Sequence, residues 1–372
     1  MLFDMILSSI PFGDQYEYSA TYNDFGHNPN NANFWQQMDF LTPNLLKVLK
    51  PGRIAAIHIK DRIRYGHQTP HGFMCIERVS DHCGDHFEKH GFMPFGRITV
   101  VTDVVRENAS TYRLTWTENS NDSTKMGVGL PEYILLFRKP PSDNSNQRAD
   151  EPVTKLKPNH YTCSNCGYAL NTLSKLDKVG DEYLCPECAG YFPFDAAEDY
   201  GKGYSKAAWQ IDAHSFWRSN GNRPLMVDEL YNYRQHVKRN EEKEKAGNLP
   251  GSHFHDPPVS FSDAVWTNVD FMNGLNGQQS RRNLENHTCP LPFDLVNRLI
   301  SRFTGKGEII LEPFAGLFTV PYCAIQLGRR AYGIELSDQY FADGLKYCKE
   351  ADFMAQQPTL FDWLEIQERK AA

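Results

Sequence analysis

Four cysteines carry the clearest chemistry in the chain. Cys163, Cys166, Cys185 and Cys188 stand as C-x2-C-x18-C-x2-C within "CSNCGYALNTLSKLDKVGDEYLCPEC". Two thiolates separated by two residues reach one ion from a single tight turn. Two such turns supply four sulfur ligands, the closed tetrahedral set of a structural zinc. Four unbound thiols leave the matched pairs unexplained, and a redox dithiol needs only one pair. The remaining cysteines, Cys75, Cys83, Cys289, Cys323 and Cys348, show no such pattern and read as packed residues.

A second stretch, "ILEPFAGLFTV" from Ile310 to Val320, ends a strand in an acid, turns through Pro-Phe-Ala-Gly and opens a helix at Thr319. Backbone N–H groups and a helix N-terminus can face a ligand there. Glu335 ends the next strand, placed to accept hydrogen bonds from ribose hydroxyls. An ordinary strand–helix corner has the same look, so the turn alone leaves nucleotide binding and plain architecture both open. A third stretch, "SSIPFG" from Ser8 to Gly13, follows the apolar run "LFDMIL". A strand that ends in a small polar residue, a proline and an aromatic, with glycine behind, is an unusual turn.

Taken together these segments resemble a known family. "LEPFAGLFTVPYCAIQLGRRAYGIEL" looks like the S-adenosylmethionine motif of the DNA amino-methyltransferases, written D-P-F-x-G-x-G-T-T. "ENHTCPLPFDLVNRLI" is similar to the segment that precedes it in the permuted β class and covers the methionine end of the cofactor. "SSIPFG" resembles the catalytic tetrapeptide [DNS]-P-P-[YFW]. Catalytic motif first, variable region, cofactor motif last is the β-class order. The likeness covers the two ends and not the middle.

The resemblance implies an α/β fold: a Rossmann-like methyltransferase sheet with an inserted zinc-ribbon and target-recognition region. It divides the chain into a catalytic half (1–140), an insert (141–277, with the zinc ribbon at about 160–192) and a cofactor half (278–372). It places Glu312, Pro313, Phe314, Gly316, Thr319 and Glu335 on S-adenosylmethionine, with His287, Cys289 and Pro290 in the cover. It makes Ser9, Ile10, Pro11 and Phe12 catalytic. The Ser9 oxygen and the Ile10 carbonyl would accept the two N–H bonds of an exocyclic amine, aiming its lone pair at the methyl group. Phe12 would stack on a base rotated out of double-stranded DNA. Pro11 stiffens the turn, and Gly13 lets the backbone pass close to the base. A Ser-first tetrapeptide leans towards cytosine N4, whereas adenine N6 is the commoner activity. Adenine has a slight edge.

Three residues depart from the family pattern: Ile10 replaces its first proline, Phe318 its second glycine, and Glu312 its aspartate. They motivate a rival, a catalytically degenerate zinc-containing DNA-binding protein on the same scaffold. Methylation of RNA or protein is a third reading. A Gly-Asp segment that precedes the catalytic strand in the family has no counterpart before Leu2. Either the true start lies upstream or another segment lines that part of the pocket. No restriction-nuclease motif is visible, which leaves room for a stand-alone enzyme on a phage or mobile element beside a restriction-modification role.

The elements that must position these residues follow from periodicity. Strands are expected at Leu2–Leu7, "RIAAIHI", "RITVVTDVV" and "EYILLFR", and a helix over "FWQQMDFLTPNLLKVL" apart from Pro43. Helical spacing runs from Phe73 to His90. Amphipathic "PFDLVNRLISRF", strand "GEIILEP", helix "TVPYCAIQLG", strand "RRAYGIEL" and helix "SDQYFADGLKYCKE" close the chain as an α–β–α–β–α run. The middle mixes basic and aromatic residues, Arg218, Arg223, Tyr231, Tyr233, Arg234, Lys238 and Arg239, followed by Arg281 and Arg282. These suit phosphate contact and base stacking. His58, His253 and His255 read as surface or structural histidines. A net charge of −7 over 372 residues neither announces nor excludes a nucleic-acid partner. No apolar run reaches a membrane span, and Asp4 interrupts the N-terminal apolar stretch, which makes a poor signal peptide. A cytoplasmic, reducing setting is expected, where paired cysteines favour metal over disulfides.

Overall fold

The computed structural model describes residues 2–11, 21–102, 120, 129–145, 147–153, 159–198, 261–275 and 291–355. By contacts the chain divides into two compact units, Met1–Val153 with Asp263–Ala372, and Thr154–Ser262. No helix among the described residues is long and apolar enough to cross a membrane.

The larger unit is built on strand β1 (Phe3–Ser9), helix α1 (Asn31–Val48), β2 (Leu49–Lys60), β3 (Arg62–Arg64), β4 (Cys75–Glu77), α2 (Val79–Lys89), β5 (Met93–Val100) and β6 (Glu132–Arg138). The smaller unit carries β7 (Asn159–Cys163), β8 (Ala169–Leu170), β9 (Lys178–Val179), β10 (Glu182–Cys185), β11 (Gly190–Phe192) and β12 (Phe194–Glu198). The chain returns to the larger unit with β13 (Val265–Trp266), α3 (Phe293–Phe303), β14 (Ile309–Glu312), α4 (Thr319–Gln326), β15 (Arg330–Gly333) and α5 (Asp338–Ala355).

One seven-stranded sheet has the order β13-β5-β6-β2-β1-β14-β15. β2, β1, β14 and β15 run parallel, while β6 is antiparallel to both β2 and β5. β1 sits between β2 and β14 and is buried on both faces from Phe3 to Ser8, which matches an apolar run broken only by Asp4. On one face Ile6, Ala55, Ile57, Leu135, Phe137 and Leu311 form a core with Phe34, Met38 and Leu45 of α1 and Val79, Cys83 and Phe87 of α2. α4 packs on β14 and β15 and against α3 and α5.

Asp4, the acid inside the first apolar run, is only 5% exposed. One of its oxygens accepts from the Ile309 N–H at 2.8 Å, so it stitches β1 to β14. The other faces Lys50 at 3.0 Å and the buried Arg53 guanidinium at 3.3 Å. Arg53 also pairs with Glu308. A charge in a buried strand persists because it is paired and hydrogen-bonded.

The first helix stands where it is expected, and one other expectation needs correction. α1 runs through Pro43 without ending, because Phe34, Met38, Thr42 and Leu45 are buried on both sides of it and one missing N–H is a small loss against that packing. The helical spacing from Phe73 is not helix throughout: α2 begins at Val79, and Cys75–Glu77 pairs with Arg62–Arg64 as a hairpin. Phe73 and Ile76 face solvent rather than the core. Glu77 accepts two hydrogen bonds from Arg64, each at 2.9 Å, which favours the extended pairing. α1 and α2 are tied by Thr42 and His86 at 2.9 Å and by Asp39, which accepts from Lys89 at 2.9 Å.

Candidate functional site

β1 and β14 are parallel neighbours, with Met5 opposite Ile310 and Ile6 opposite Leu311. Their carboxyl ends therefore emerge side by side. Ser9, Ile10 and Pro11 from β1 and Glu312, Pro313, Phe314, Gly316 and Thr319 from the turn after β14 line one cavity of about 380 Å³. Glu335, Ile334 and Leu336, just after β15, complete the wall with Asn23, Asp24 and Phe25. This is where open parallel sheets bind ligands, and the volume lies in the usual range for a small-molecule site.

The turn after β14 is held by its neighbours. Ala315 N–H donates to the Ile334 carbonyl at 2.8 Å, and Gly316 N–H to the Glu335 carboxylate at 2.7 Å. Gly316 has φ +50°, a conformation that favours glycine. Gly333 lets the turn cross closely, since a Cβ there would sit 2.9 Å from Cβ of Ala315. Phe314 meets Phe25 edge-on at 5.1 Å, which joins the turn to the segment before α1.

The cavity is acidic and apolar together. Glu312 is 3% exposed, and its Oε2 is buried with no hydrogen-bond partner among the described residues. Burial pushes its carboxyl well above the ordinary value against a bond from the Val320 N–H, and the nearby Glu335 adds to the rise. Burial also raises Glu335, opposed by the N–H groups of Ser337 and Gly316. Asp24 is buried in the same wall. Ile334 and Leu336 stay 55% and 49% exposed although apolar, because they face this space. An orphaned buried carboxylate oxygen and apolar walls fit a ligand that carries both positive charge and a flat ring.

The three departures can now be placed. Ile10 is buried in the core on the α1 side, and it still contributes to the cavity wall. Phe318 keeps the left-handed backbone that a glycine would adopt, with φ +63° and ψ +36°. Its ring packs beneath α5 against Gly344 and edge-on to Phe341 at 5.5 Å, and the cavity wall passes from Leu317 to Thr319 without it. Glu312 reaches the cavity as an acid should. Phe12, Gly13, His287, Cys289, Pro290, His253, His255, Arg281, Arg282 and the basic and aromatic residues from Arg218 to Arg239 lie outside the described residues.

His58 is neither surface nor remote. It is buried, it is the register partner of Ser9, and its Nδ1 lies 2.9 Å from the Ser9 hydroxyl. Nothing local marks it: the strand "RIAAIHI" predicts burial, but only the pairing of β2 with β1 sets it beside Ser9. Asn23, Asp24 and Phe25 were equally invisible as site residues, because a loop reaches the cavity by tertiary folding alone.

In the smaller unit the sulfur atoms of Cys163, Cys166, Cys185 and Cys188 all lie within 4.8 Å of one another. Two separations are 4.0 Å (Cys163–Cys188) and 3.7 Å (Cys166–Cys185). A tetrahedron with zinc–sulfur bonds of about 2.3 Å has edges of about 3.8 Å. Each pair sits in a matched turn: Gly167 N–H donates to Cys163 O and Ala189 N–H to Cys185 O, both at 2.9 Å. Gly167 (φ +75°) and Ala189 (φ +52°) take the left-handed conformation that closes each turn. Against burial, the N–H groups of Cys188 and Glu187 draw the Cys185 thiol down to about 7. Bonding within the cluster, with Cys188 first, pushes Cys166 up to about 12.

A mixed sheet, parallel from β2 to β15, with an acidic, glycine-turned cavity at the carboxyl ends of its strands defines an α/β protein of Rossmann-like type. The family model described as DNA methylase matches residues 3–346. The chain belongs to this family, the N6-adenine/N4-cytosine DNA methyltransferases. It is 42% identical over 62 residues to the DNA adenine methyltransferase YhdJ of Escherichia coli (strain K12), which is 17% of this chain and 21% of that protein. It is 26% identical over 153 residues to the type II methyltransferase M.MthZI of Methanothermobacter thermautotrophicus, 36% of this chain and 42% of that one. The matches thus span about a fifth and about two fifths of these curated relatives. Among solved structures, PvuII DNA methyltransferase (cytosine-N4-specific) aligns over 95% of this chain and 84% of its own, with 9% identity and a TM-score of 0.44.

Proposed function

We propose that the protein is a site-specific DNA methyltransferase. It moves a methyl group from S-adenosylmethionine to an exocyclic amine, adenine N6 in preference to cytosine N4, of a base turned out of double-stranded DNA. One observation carries the reading: Ser9–Pro11 and the Glu312–Thr319 turn, from opposite ends of the sequence, line one cavity at the ends of two paired parallel strands.

S-adenosylmethionine would supply the methyl group on a positively charged sulfur. The orphaned oxygen of Glu312 suits its ammonium group. The Glu335 carboxylate keeps a lone pair on each oxygen after accepting from Gly316 and Ser337, free for ribose hydroxyls. Pro313, Phe314, Gly316 and Thr319 shape the turn around it, with His287, Cys289 and Pro290 as the cover. Ser9 Oγ and the Ile10 carbonyl accept the amine N–H bonds and hold the nitrogen tetrahedral, Pro11 fixes their direction, and Phe12 stacks on the base. Adenine is favoured because the relative that is 42% identical over 62 residues is named an adenine methyltransferase. The four cysteines hold one structural zinc, and the insert that contains them reads the DNA target.

The test is single-turnover transfer of labelled methyl groups to DNA, with modification-aware sequencing to identify the base. Ser9→Ala should transfer about 100-fold more slowly, the scale of one positioned catalytic group, with cofactor affinity unchanged. A parent protein that leaves DNA unmethylated, or a Ser9→Ala variant at the parental rate, refutes the reading.

A further inference from the structure

Ser9, His58 and Glu132 stand in a row across three adjacent strands, β1, β2 and β6. Ser9 Oγ lies 2.9 Å from His58 Nδ1, and His58 Nε2 lies 2.9 Å from Glu132 Oε2. The register explains the row. Ser9 pairs with His58 and His58 with Ile134, and Glu132, two residues before Ile134, points to the same face. His58 is buried, Glu132 is largely so, and only Ser9 opens onto the cavity.

We propose that His58 and Glu132 form a proton relay behind Ser9, which takes up the proton that the target amine loses on methylation. The inference rests on the methyltransferase reading and goes beyond it, since positioning by Ser9 and Ile10 leaves that proton without a destination.

The hydrogen-bond directions follow from the carboxylate. An ionised Glu132 can only accept, so Nε2 carries the ring proton. The neutral ring then accepts at Nδ1, and the Ser9 hydroxyl donates to it. This leaves both lone pairs of Ser9 Oγ facing the cavity, the polarity that an amine N–H requires. Burial alone would raise the Glu132 carboxyl. The bond from His58, with Lys60 at 3.7 Å, opposes burial, and the carboxyl is held below the ordinary value and stays ionised. The groups recorded against His58 are Ser9 from β1 and Glu132 from β6; Lys60 of β2 reaches it through Glu132.

The step balances. The amine nitrogen gives its lone pair to the methyl carbon, and the electron pair of the broken carbon–sulfur bond leaves with sulfur. The nitrogen now has four bonds and a positive charge. It passes a proton to Ser9 Oγ while the Ser9 hydroxyl proton passes to Nδ1. The products are a neutral methylamine, a thioether, and an imidazolium paired with the Glu132 carboxylate. Solvent takes the proton after product leaves. His58 never touches the base, so it is a positioning residue that acts through Ser9.

Three measurements on the full chain test this. Nitrogen NMR of labelled histidine, without cofactor or DNA, should find the neutral His58 ring protonated at Nε2 and bare at Nδ1. Glu132→Gln removes the carboxylate that would pair with the imidazolium and should slow single-turnover transfer about tenfold, with S-adenosylmethionine affinity unchanged. His58→Asn keeps an acceptor near the place of Nδ1 but cannot take a proton. It should lose about 100-fold in rate and lose the acid limb of the rate's pH profile, with S-adenosylmethionine affinity by calorimetry unchanged. A proton found at Nδ1, or a Glu132→Gln protein with the parental single-turnover rate, overturns the relay even if His58→Asn fails to fold. Parental rate and profile in His58→Asn do the same. A parent without methyl transfer sinks the underlying function and the relay together, whereas a methylating parent with an indifferent His58 sinks the relay alone.

Discussion

Gly344→Ala tests whether Phe318 has taken over the place of a glycine by burying its ring under α5. A Cβ at Gly344 would lie 2.6 Å from Cγ of Phe318, 2.9 Å from Cδ1 and 3.0 Å from Cβ. Ordinary contact needs 3.4 Å or more, so the ring must retreat by close to an ångström. It has little room, because its backbone is fixed by Phe318 N–H to Ala315 O at 2.7 Å and Tyr322 N–H to Phe318 O at 2.8 Å. Overpacking of this kind costs about 1–3 kcal/mol, or about 2–10 °C in Tm for a domain of this size. The displaced loop is the cavity wall between Leu317 and Thr319, so S-adenosylmethionine should bind about tenfold more weakly, near 1.4 kcal/mol. The partner variant is Phe318→Gly, which removes a buried ring at about 3–5 kcal/mol, offset by about 1 kcal/mol of left-handed strain. In that background Gly344→Ala meets no ring and gains helix propensity, so it should stabilise by about 1 kcal/mol. The assay is thermal denaturation of the four proteins of the cycle, with calorimetric cofactor binding alongside. A change of sign between backgrounds is the expected result. If Gly344→Ala costs the same in both, the clash with Phe318 is not what α5 feels, and the account of the departure fails.

Glu312 is held above its unfolded value, so the folded protein keeps a proton that the unfolded chain releases. Stability should therefore fall as pH rises above the ordinary carboxylate range and through the folded value. Glu312→Gln should flatten that dependence, raise Tm at pH 8 more than at pH 4.5, and weaken S-adenosylmethionine binding; equal Tm shifts at both pH values would count against it. Arg53→Met takes the buried guanidinium from Glu308 and leaves Asp4 with Lys50 as its cation, and should cost about 3 kcal/mol by denaturant titration, with Arg53→Met in an Asp4→Asn background recovering part of the loss. Cys185→Ser should abolish stoichiometric zinc by elemental analysis and expose the smaller unit to protease, while cofactor binding to the sheet survives. A parent protein purified without zinc removes the basis of that expectation.

Local patterns in the sequence determined much of this protein. "EYILLFR" becomes β6 residue for residue, because a short continuous run of apolar, β-branched and aromatic side chains, suited to a strand buried on both faces, is a property of the segment itself. The four cysteines announce their cluster because each pair closes within one turn, so only the meeting of two turns remains to be made. The Glu312–Thr319 turn was legible as a strand–helix corner, since a strand, an acid, a glycine and a helix start are consecutive, but the turn alone left a ligand site and plain architecture both open. Tertiary structure decided the rest. Helical spacing from Phe73 misled because periodicity does not say which face finds a core, and Glu77 found Arg64 instead. Asp4 looked like a break in an apolar run until Arg53, 49 residues on, was folded against it. Ser9, His58 and Glu132 lie on separate strands whose neighbours are fixed by register across the sheet. A shift of one residue would turn each side chain to the other face. That pairing energy is spread over the whole sheet and leaves no mark beside any one of the three residues.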